Sequence, residues 1–326
     1  MSLPLVRRAL RVFVAGGTGF VGHELVVRLV RQGHSVSLAT RDASHADDLL
    51  PLASVDVAEG NVYSLDFLRA ALAGCDLAIN LVGILNEPGH GGSGFRRAHV
   101  DFTRGLLAAM QEAAVPRLLH MSALNADATG GASHYLRTKG QAEDLLRAAS
   151  GWLDWTIFRP SVIFGSGDSL TRRFERLLRY SRGYLPLARA GARFAPVYVR
   201  DVALAFLHAL RSAGSRHQIY ELCGPDVLSL ERIVQLTAEA AELPYHVWAL
   251  PDPLARLQAL VMDFVPGKPF SSDNYRSLLR DALCRDDGLK RLGIEPAGFA
   301  THVPLWLSPR ERRALNQARG TEPERF

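Results

Sequence analysis

Two groups of residues in this chain have types and spacings suited to chemistry. The first is the run Gly16-Gly17-Thr18-Gly19-Phe20-Val21-Gly22. It follows an apolar stretch at residues 11–15, which reads as a short buried parallel strand, and precedes a helical pattern at 24–32 closed by Gly33. Residues 35–39 read as a second strand, so the glycines fall at the turn of a βαβ unit. Such a turn uses one glycine to bend tightly, one to let backbone approach a pyrophosphate and one to let helix and strand pack closely. The phosphates would rest on N–H groups at the positive end of the helix. The spacing points to dinucleotide binding.

The second group is Tyr135-Leu136-Arg137-Thr138-Lys139. A Tyr and a Lys four apart share one face of a helix. An ammonium beside a nicotinamide ribose would lower the phenol's pKa, so that Tyr135 acts as general acid or base in hydride transfer. Ser122 ends a predicted strand and is placed to hydrogen-bond a reacting carbonyl. Contact with a cofactor and proton transfer are separate readings of this group, and both stay open.

The elements that must position these residues follow a steady rhythm. A third strand is predicted at 55–60, a helix at 64–73 capped by Ser64, and a fourth strand, apolar on both faces, at 76–83. A glycine-rich loop at 86–94 then leaves the carboxyl end of that strand, the edge where open α/β sheets bind ligands. A helix at 97–114, a strand at 117–122, a helix at 135–149 and a strand at 155–159 halted by Pro160 complete the alternation. Later strands are predicted at 195–199 and 218–222, and helices at 229–242 and 253–264. The fold class is α/β: a Rossmann-type doubly wound parallel sheet with a smaller, mostly helical C-terminal substrate lobe. Residues 1–165, completed by parts of 195–225, form the nucleotide core; 166–194 and 226–307 form the lobe, and 308–326 a flexible tail.

Within that frame the second strand ends at Thr40-Arg41-Asp42. An Arg there pairs with a 2′-phosphate and favours NADP(H), while an acid accepts from ribose hydroxyls and favours NAD(H). Arg41 lies nearer the strand end, so NADP(H) is expected, and the adjoining Asp42 keeps NAD(H) as the less favoured choice. Asn61 and Val62 are placed to flank the adenine; Asn80, Leu81, Val82 and Gly83 would run along the cofactor's far side, and Pro160 completes the contact set.

The 326 residues are 48% hydrophobic and 22% charged, as in an ordinary globular protein. A net charge of +5 suits anionic ligands, nucleic acid or an acidic membrane face without choosing among them. No helix-turn-helix logic, no aromatic RNA-binding strand and no Cys/His metal spacing is present, so nucleic acid and metal are not expected partners. Cys75, Cys223 and Cys284 are few, odd in number and widely spaced, which argues against a disulfide framework and for a reducing compartment. No signal peptide and no membrane span is expected. Arg172, Arg176 and Arg179 read as a solvated helix face, with phosphate binding as the alternative. Residues 253–265 read as a core helix or cleft lid, with docking on a membrane surface as the alternative.

The glycine run, the Tyr135/Lys139 pair, Phe158-Arg159-Pro160-Ser161-Val162-Ile163-Phe164-Gly165 and Pro196-Val197-Tyr198-Val199-Arg200-Asp201-Val202-Ala203 together resemble an extended or atypical short-chain dehydrogenase/reductase. Within that superfamily, Ile79-Asn80-Leu81-Val82-Gly83, Met121-Ser122-Ala123-Leu124-Asn125-Ala126, the stretch from Tyr135 through Glu143 and Pro269-Phe270-Ser271-Ser272-Asp273-Asn274 are similar to the NADPH-binding accessory subunit of respiratory complex I and its bacterial relatives. The resemblance implies tight NADP(H) binding, with Gly16, Gly19, Gly22, Arg41, Tyr135 and Lys139 at matching positions. It implies a structural or redox-sensing nucleotide, complex I subunits or a peripheral membrane surface as partners, and a cytoplasmic location peripheral to the inner membrane face. The alternative is an active NADP(H)-dependent short-chain reductase or nucleotide-sugar epimerase/dehydratase using Tyr135, Lys139 and Ser122. A third reading is a free sensor of the NADP(H)/NADP⁺ ratio. Two departures stand out: His23 where relatives often have Arg, and His99 where extended members usually show Asn.

Overall fold

The computed structural model describes residues 8–265 and 268–309. They form two interleaved compact units. The first comprises the residues up to Ser122, Thr138–Phe158 and Ala203–Tyr220; the second comprises Ala123–Arg137, Arg159–Val202 and the residues from Glu221 on. Residues 123–137 and 159–165, read from sequence as nucleotide core, thus cluster with the second unit.

The first unit is organised by a seven-stranded parallel sheet. Strands β1 (Arg11–Ala15), β2 (Ser35–Thr40), β3 (Val55–Glu59), β4 (Leu77–Asn80), β5 (Arg117–Met121) and β6 (Asp154–Pro160) are joined by Gln218–Leu222 at one edge. From that edge the order is Gln218–Leu222, β6, β5, β4, β1, β2, β3, so the direction of winding reverses between β1 and β4. Ala15 pairs with Ala39 on one side and Asn80 on the other. Helices α1 (Phe20–Arg31) and α2 (Leu65–Leu72) follow β1 and β3, and Ser64 caps α2 through the Phe67 N–H. Val12, Phe13 and Val14 of β1 are fully buried, as an interior strand covered on both faces requires.

One expected helix has a different form. Instead of a single helix over 97–114, the chain makes α3 (Ser93–Arg96), a π-helical turn at Arg97–Asp101, and α4 (Phe102–Glu112). Apolar spacing on both sides is helical, so it carries no mark of the wider turn. Phe102, Leu106 and Met110 on α4 enter the same core as Phe13 and Leu72, and each buried side chain contributes roughly 1.5–3 kcal/mol. α5 (His134–Ala148) belongs to this unit from Thr138 onward.

The second unit is held by three small two-stranded pairings. Ile163–Phe164 runs parallel to Val197–Tyr198, Arg193–Phe194 antiparallel to Leu228–Ser229, and Tyr184–Ala188 parallel to His246–Leu250. Of the strand expected at 195–199 only Val197–Tyr198 forms: Pro196 has no N–H to donate, and Val199 already opens the following helix. Asp168 caps α6 (Ser169–Tyr180) through the Thr171 N–H, at 2.7 Å. Arg172 and Arg176 are exposed, and Arg179 pairs with Glu175 at 2.9 Å, the solvated face expected. α7 (Val199–Arg211) and α8 (Leu230–Ala240) follow.

Two expectations are corrected in this unit. α9 (Asp252–Met262) is not a core helix: it buries its small residues Ala255 and Ala259, while Leu254, Leu257 and Leu260, and Phe264 just past its end, are each at least half exposed. Apolar content predicted burial without showing which face carried the bulk. Cys223 and Cys284, 61 residues apart, form a disulfide; Cys75 is free and buried. Tertiary hydrogen bonds around Ala282, invisible in the spacing, bring the two sulfurs together. Among the described residues no helix is long and apolar enough to cross a membrane. Of the tail expected at 308–326, all but Ser308 and Pro309 lie outside the described residues.

Candidate nucleotide-binding site

The glycines of the turn after β1 serve different needs: three answer to crowding and one to open space. Gly16 has φ +79°, and a Cβ on it would lie 3.0 Å from the Leu81 carbonyl carbon and 3.1 Å from the Val82 nitrogen. The loop therefore lies directly against the end of β4, as the expected contacts at Leu81 and Val82 require. A Cβ on Gly17 would come within 2.1 Å of Leu38 on β2, and one on Gly22 within 2.3 Å of the Gly16 oxygen. Gly19 differs: only the Gly16 oxygen, at 3.3 Å, lies near its Cβ position, and the residue is exposed. Its lack of a side chain leaves open space rather than relieving a clash. Gly19 is also the N-cap of α1, whose first turn holds no acidic residue. Thr18 and Phe20 are half-buried beside it, Val21 is buried, and His23 is exposed in the first turn. This cradle fits a pyrophosphate: open space at Gly19, helix N–H groups and no opposing charge.

Farther along the sheet edge, Arg41 is exposed just past β2. The Asp42 carboxylate turns away into a local cap, accepting from the Ser44 N–H at 3.0 Å and the Ser44 hydroxyl at 2.6 Å. Those bonds hold its pKa below the usual carboxylate range. After β3, the Asn61 side-chain oxygen accepts from the Tyr63 N–H at 3.0 Å, and Val62 packs on the core.

On the far side of β4, Lys139 is 3% exposed and donates from Nζ to the Met121 oxygen at 3.0 Å and the Val82 oxygen at 3.5 Å. Burial pushes its pKa down to about 8 against the pull of Glu143. A Cβ on Gly83 would stand 3.2 Å from that Nζ and 3.7 Å from His99 Nε2. Lysine, Gly83 and His99 therefore form one wall. Ser122, 2% exposed, donates its hydroxyl to Glu143 Oε1 at 2.6 Å; Arg147 donates to the other oxygen at 2.6 Å. Hydrogen bonds to a charged group are worth roughly 1.5–3 kcal/mol each, so the serine proton is committed to a buried carboxylate.

His99 sits on the π turn with one nitrogen on each side of the wall. Its Nε2 accepts from the Ile84 N–H at 3.3 Å, so in the neutral ring the proton is on Nδ1, which donates to Thr138 Oγ1 at 2.9 Å. Asn80 donates to Thr103 Oγ1 and to His120 Nδ1, both at 3.2 Å, and accepts from the Val82 N–H at 3.0 Å. His120 Nε2 is buried with no partner among the described residues. Burial takes His99 to about 2 and His120 to about 3, and the Lys139 ammonium adds to both shifts. Both rings are neutral.

Tyr135 and Pro160 belong to the second unit. There the N–H groups of His134 and Tyr135 donate to the two oxygens of Asp273, at 2.6 and 3.1 Å, capping the start of α5. Burial pushes the Tyr135 phenol up to about 12. The Pro160 oxygen accepts from the Leu124 N–H at 3.1 Å. The first unit thus gathers the glycine turn, Leu81, Val82, Gly83, Lys139 and Ser122, with Arg41, Asn61 and Val62 at the next strand ends. Sequence reasoning missed Glu143, although it follows Lys139 by the same four-residue step as Lys139 follows Tyr135. It gave no role to Asp273, whose capping bond spans 139 positions.

Comparison with known proteins agrees with this geometry. The family described as NAD(P)H-binding matches residues 16–177. NADH dehydrogenase (ubiquinone) 1 alpha subcomplex subunit 9, mitochondrial, of Arabidopsis thaliana is 30% identical over 294 residues, covering 85% of this chain and 71% of the relative. The NADH-ubiquinone oxidoreductase 40 kDa subunit of Neurospora crassa is 26% identical over 96% of this chain and 83% of its own. Among solved structures, Thermus thermophilus UDP-glucose 4-epimerase in complex with NAD shares the fold with a TM-score of 0.71 at 20% identity, covering 93% of this chain and 99% of that one. The glycine cradle and the similarity along most of both chains agree: the chain belongs to the family of NADH dehydrogenase (ubiquinone) 1 alpha subcomplex subunit 9 and carries an NAD(P)H-binding stretch at residues 16–177.

Proposed function

We propose that this protein holds NADP(H) as a structural or redox-sensing nucleotide and works as an accessory subunit peripheral to a membrane-bound NADH dehydrogenase. One observation supports the reading: the turn after β1 stays open at Gly19, while two groups that a reductase of this kind would use, Ser122 and Lys139, are held by the protein itself. The Ser122 proton goes to Glu143, and the Lys139 ammonium goes to two backbone carbonyls. When bound, the nicotinamide supplies a hydride donor or acceptor; this chain's part is to seat the phosphates at Gly16 to Gly22 and the ribose side at Lys139. The reading as a peripheral subunit is supported by the relatives' names and by the exposed leucines of α9. The test is the identity, redox state and exchange rate of nucleotide in protein purified without added cofactor. Stoichiometric NADPH that survives dialysis and resists added carbonyls and quinones is the expected outcome; an empty, freely exchanging site would overturn the reading.

The choice of NADP(H) rests on Arg41 standing outward while Asp42 caps its own loop. Arg41→Ala should weaken NADPH about 10–30-fold, the loss of one charge-assisted pair of roughly 1.4–2 kcal/mol, and leave NADH nearly unchanged. Equal losses in calorimetric titration would remove Arg41 from the 2′-phosphate.

The second reading, an active reductase or epimerase, is favoured by the Tyr135 and Lys139 spacing on α5. Tyr135→Phe separates the two. Under the proposed function nucleotide affinity and complex assembly stay within about twofold of wild type, a difference of roughly 0.4 kcal/mol. A collapse of turnover on an accepted carbonyl would establish the enzyme instead.

A further inference from the structure

The Cys223–Cys284 disulfide ties together two segments that both hold one residue, Ser161. Cys223 follows Leu222, whose carbonyl oxygen accepts from the Ser161 N–H at 2.9 Å. Cys284 follows the Asp281–Ala282 pair, and the Ala282 oxygen accepts from the Ser161 hydroxyl at 2.9 Å. Ser161 is therefore gripped by its N–H from one side of the disulfide and by its side chain from the other. The same two segments hold Ala195: its oxygen accepts from the Gly224 N–H at 3.1 Å, and its N–H donates to the Ala282 oxygen at 3.2 Å. Asn125 reaches the Asp281 oxygen at 2.9 Å, and Arg193 donates to the Asp281 carboxylate from its N–H and its Nε, both at 2.9 Å. All of these residues lie in the second unit. The segment around 281–285 is thus a strap across the residues that follow β5 and β6, among them Ser161 beside the candidate nucleotide contact Pro160.

Both half-cystines are partly exposed, and Arg285 beside Cys284 is exposed. Access and a neighbouring cation are what a thiolate needs to attack, and to leave from, a disulfide. We propose that Cys223–Cys284 is a thiol–disulfide exchange site for a dithiol reductant, and that its state sets how firmly Ser161 and Pro160 are held. A thiolate of the dithiol attacks one sulfur, the Cys223–Cys284 bond breaks, and the released thiolate takes up a proton. The second thiol of the reductant then attacks the mixed disulfide. The products are two protein thiols and one oxidised dithiol, with two electrons and two protons transferred. Reduction leaves the hydrogen bonds of the strap in place and removes only the covalent tie, so the strap loosens without unfolding the unit. The effect on nucleotide release rests on the function proposed above; the loosening of the strap does not.

The experiment uses the full chain, oxidised and after treatment with dithiothreitol. Thiols titrated in denaturant should rise from one to three, Cys75 supplying the first. Hydrogen exchange read by mass spectrometry should speed up about tenfold or more in peptides covering 159–163 and 281–285, and remain unchanged in β1 and α1. Nucleotide release should accelerate several-fold. Cys284→Ser should match the reduced protein without reductant and not respond to it. Three thiols in the purified chain that no disulfide oxidant can pair, or unchanged exchange at 159–163 after full reduction, would overturn the proposal. A chain that binds no nucleotide yet shows the exchange response refutes the proposed function and leaves this inference standing.

Discussion

Gly19→Val is expected to abolish nucleotide binding while leaving the fold almost untouched. The Cβ position of Gly19 faces open space, with a single neighbour at 3.3 Å and ordinary negative φ, so a side chain meets almost nothing of the protein. It would instead fill the volume next to the α1 N–H groups, where a pyrophosphate would rest. A loss of at least about 100-fold, roughly 2.7 kcal/mol, should appear in titration calorimetry. The melting temperature should stay within about 3 °C. Gly22→Ala is the control, because its Cβ would stand 2.3 Å from the Gly16 oxygen. That change should cost about 1–3 kcal/mol of stability before any ligand is added. If Gly19→Val binds nucleotide like wild type, the cradle is not a phosphate site.

Acid should destabilise the protein steeply, and His99 and His120 are the reason. In the unfolded chain each titrates near about 6.5, whereas burial holds them at about 2 and about 3 in the folded protein. Below about pH 6.5 the unfolded state therefore binds up to two more protons than the folded state. Their contribution to stability is fully present above that pH and is lost as pH falls toward the folded values. Each proton is worth about 1.4 kcal/mol per pH unit, so the pair would remove roughly 2.7 kcal/mol per unit below pH 6. Lys139 acts on the other limb: its folded pKa of about 8 lies below the ordinary lysine value, so stability should rise from about pH 8 to 10. Urea midpoints at pH 7.5, 6 and 5 test the acid limb, and His120→Gln should make it shallower. Midpoints that do not move between pH 7.5 and 5 would mean the rings are not buried and neutral.

The parallel sheet was legible because each interior strand is a short apolar run and each crossover has a helical period; these patterns are local. The glycine turn was legible for the same reason, since Gly17 and Gly22 answer to atoms within a few residues or on the adjoining strand. What stayed hidden depends on distant partners. Nothing near Ser122 shows that its hydroxyl meets Glu143, 21 positions on. Nothing near Tyr135 shows the Asp273 cap or the burial that raises the phenol. The disulfide and the orientation of α9 failed for one reason: composition states what a segment contains and not which neighbour its faces meet. Arg41 against Asp42 is intermediate, for the Ser44 two residues beyond Asp42 already suggests that the carboxylate is used locally.

The π turn at Arg97–Asp101 has a consequence for how related chains are compared. Five residues span there what an α-helix spans in four, so the segment holds one residue more than a regular helix of its length. The reach of His99 to both Ile84 and Thr138 is written in the count of residues as much as in the histidine itself. A chain lacking one residue between Phe95 and Phe102 would regain a regular helix, and each side chain upstream would swing by about 100° around the axis. Matching such chains letter by letter, with no gap allowed inside the helix, pairs His99 with a residue that points elsewhere. An apparent exchange of histidine for asparagine at this place is then partly a question of alignment register.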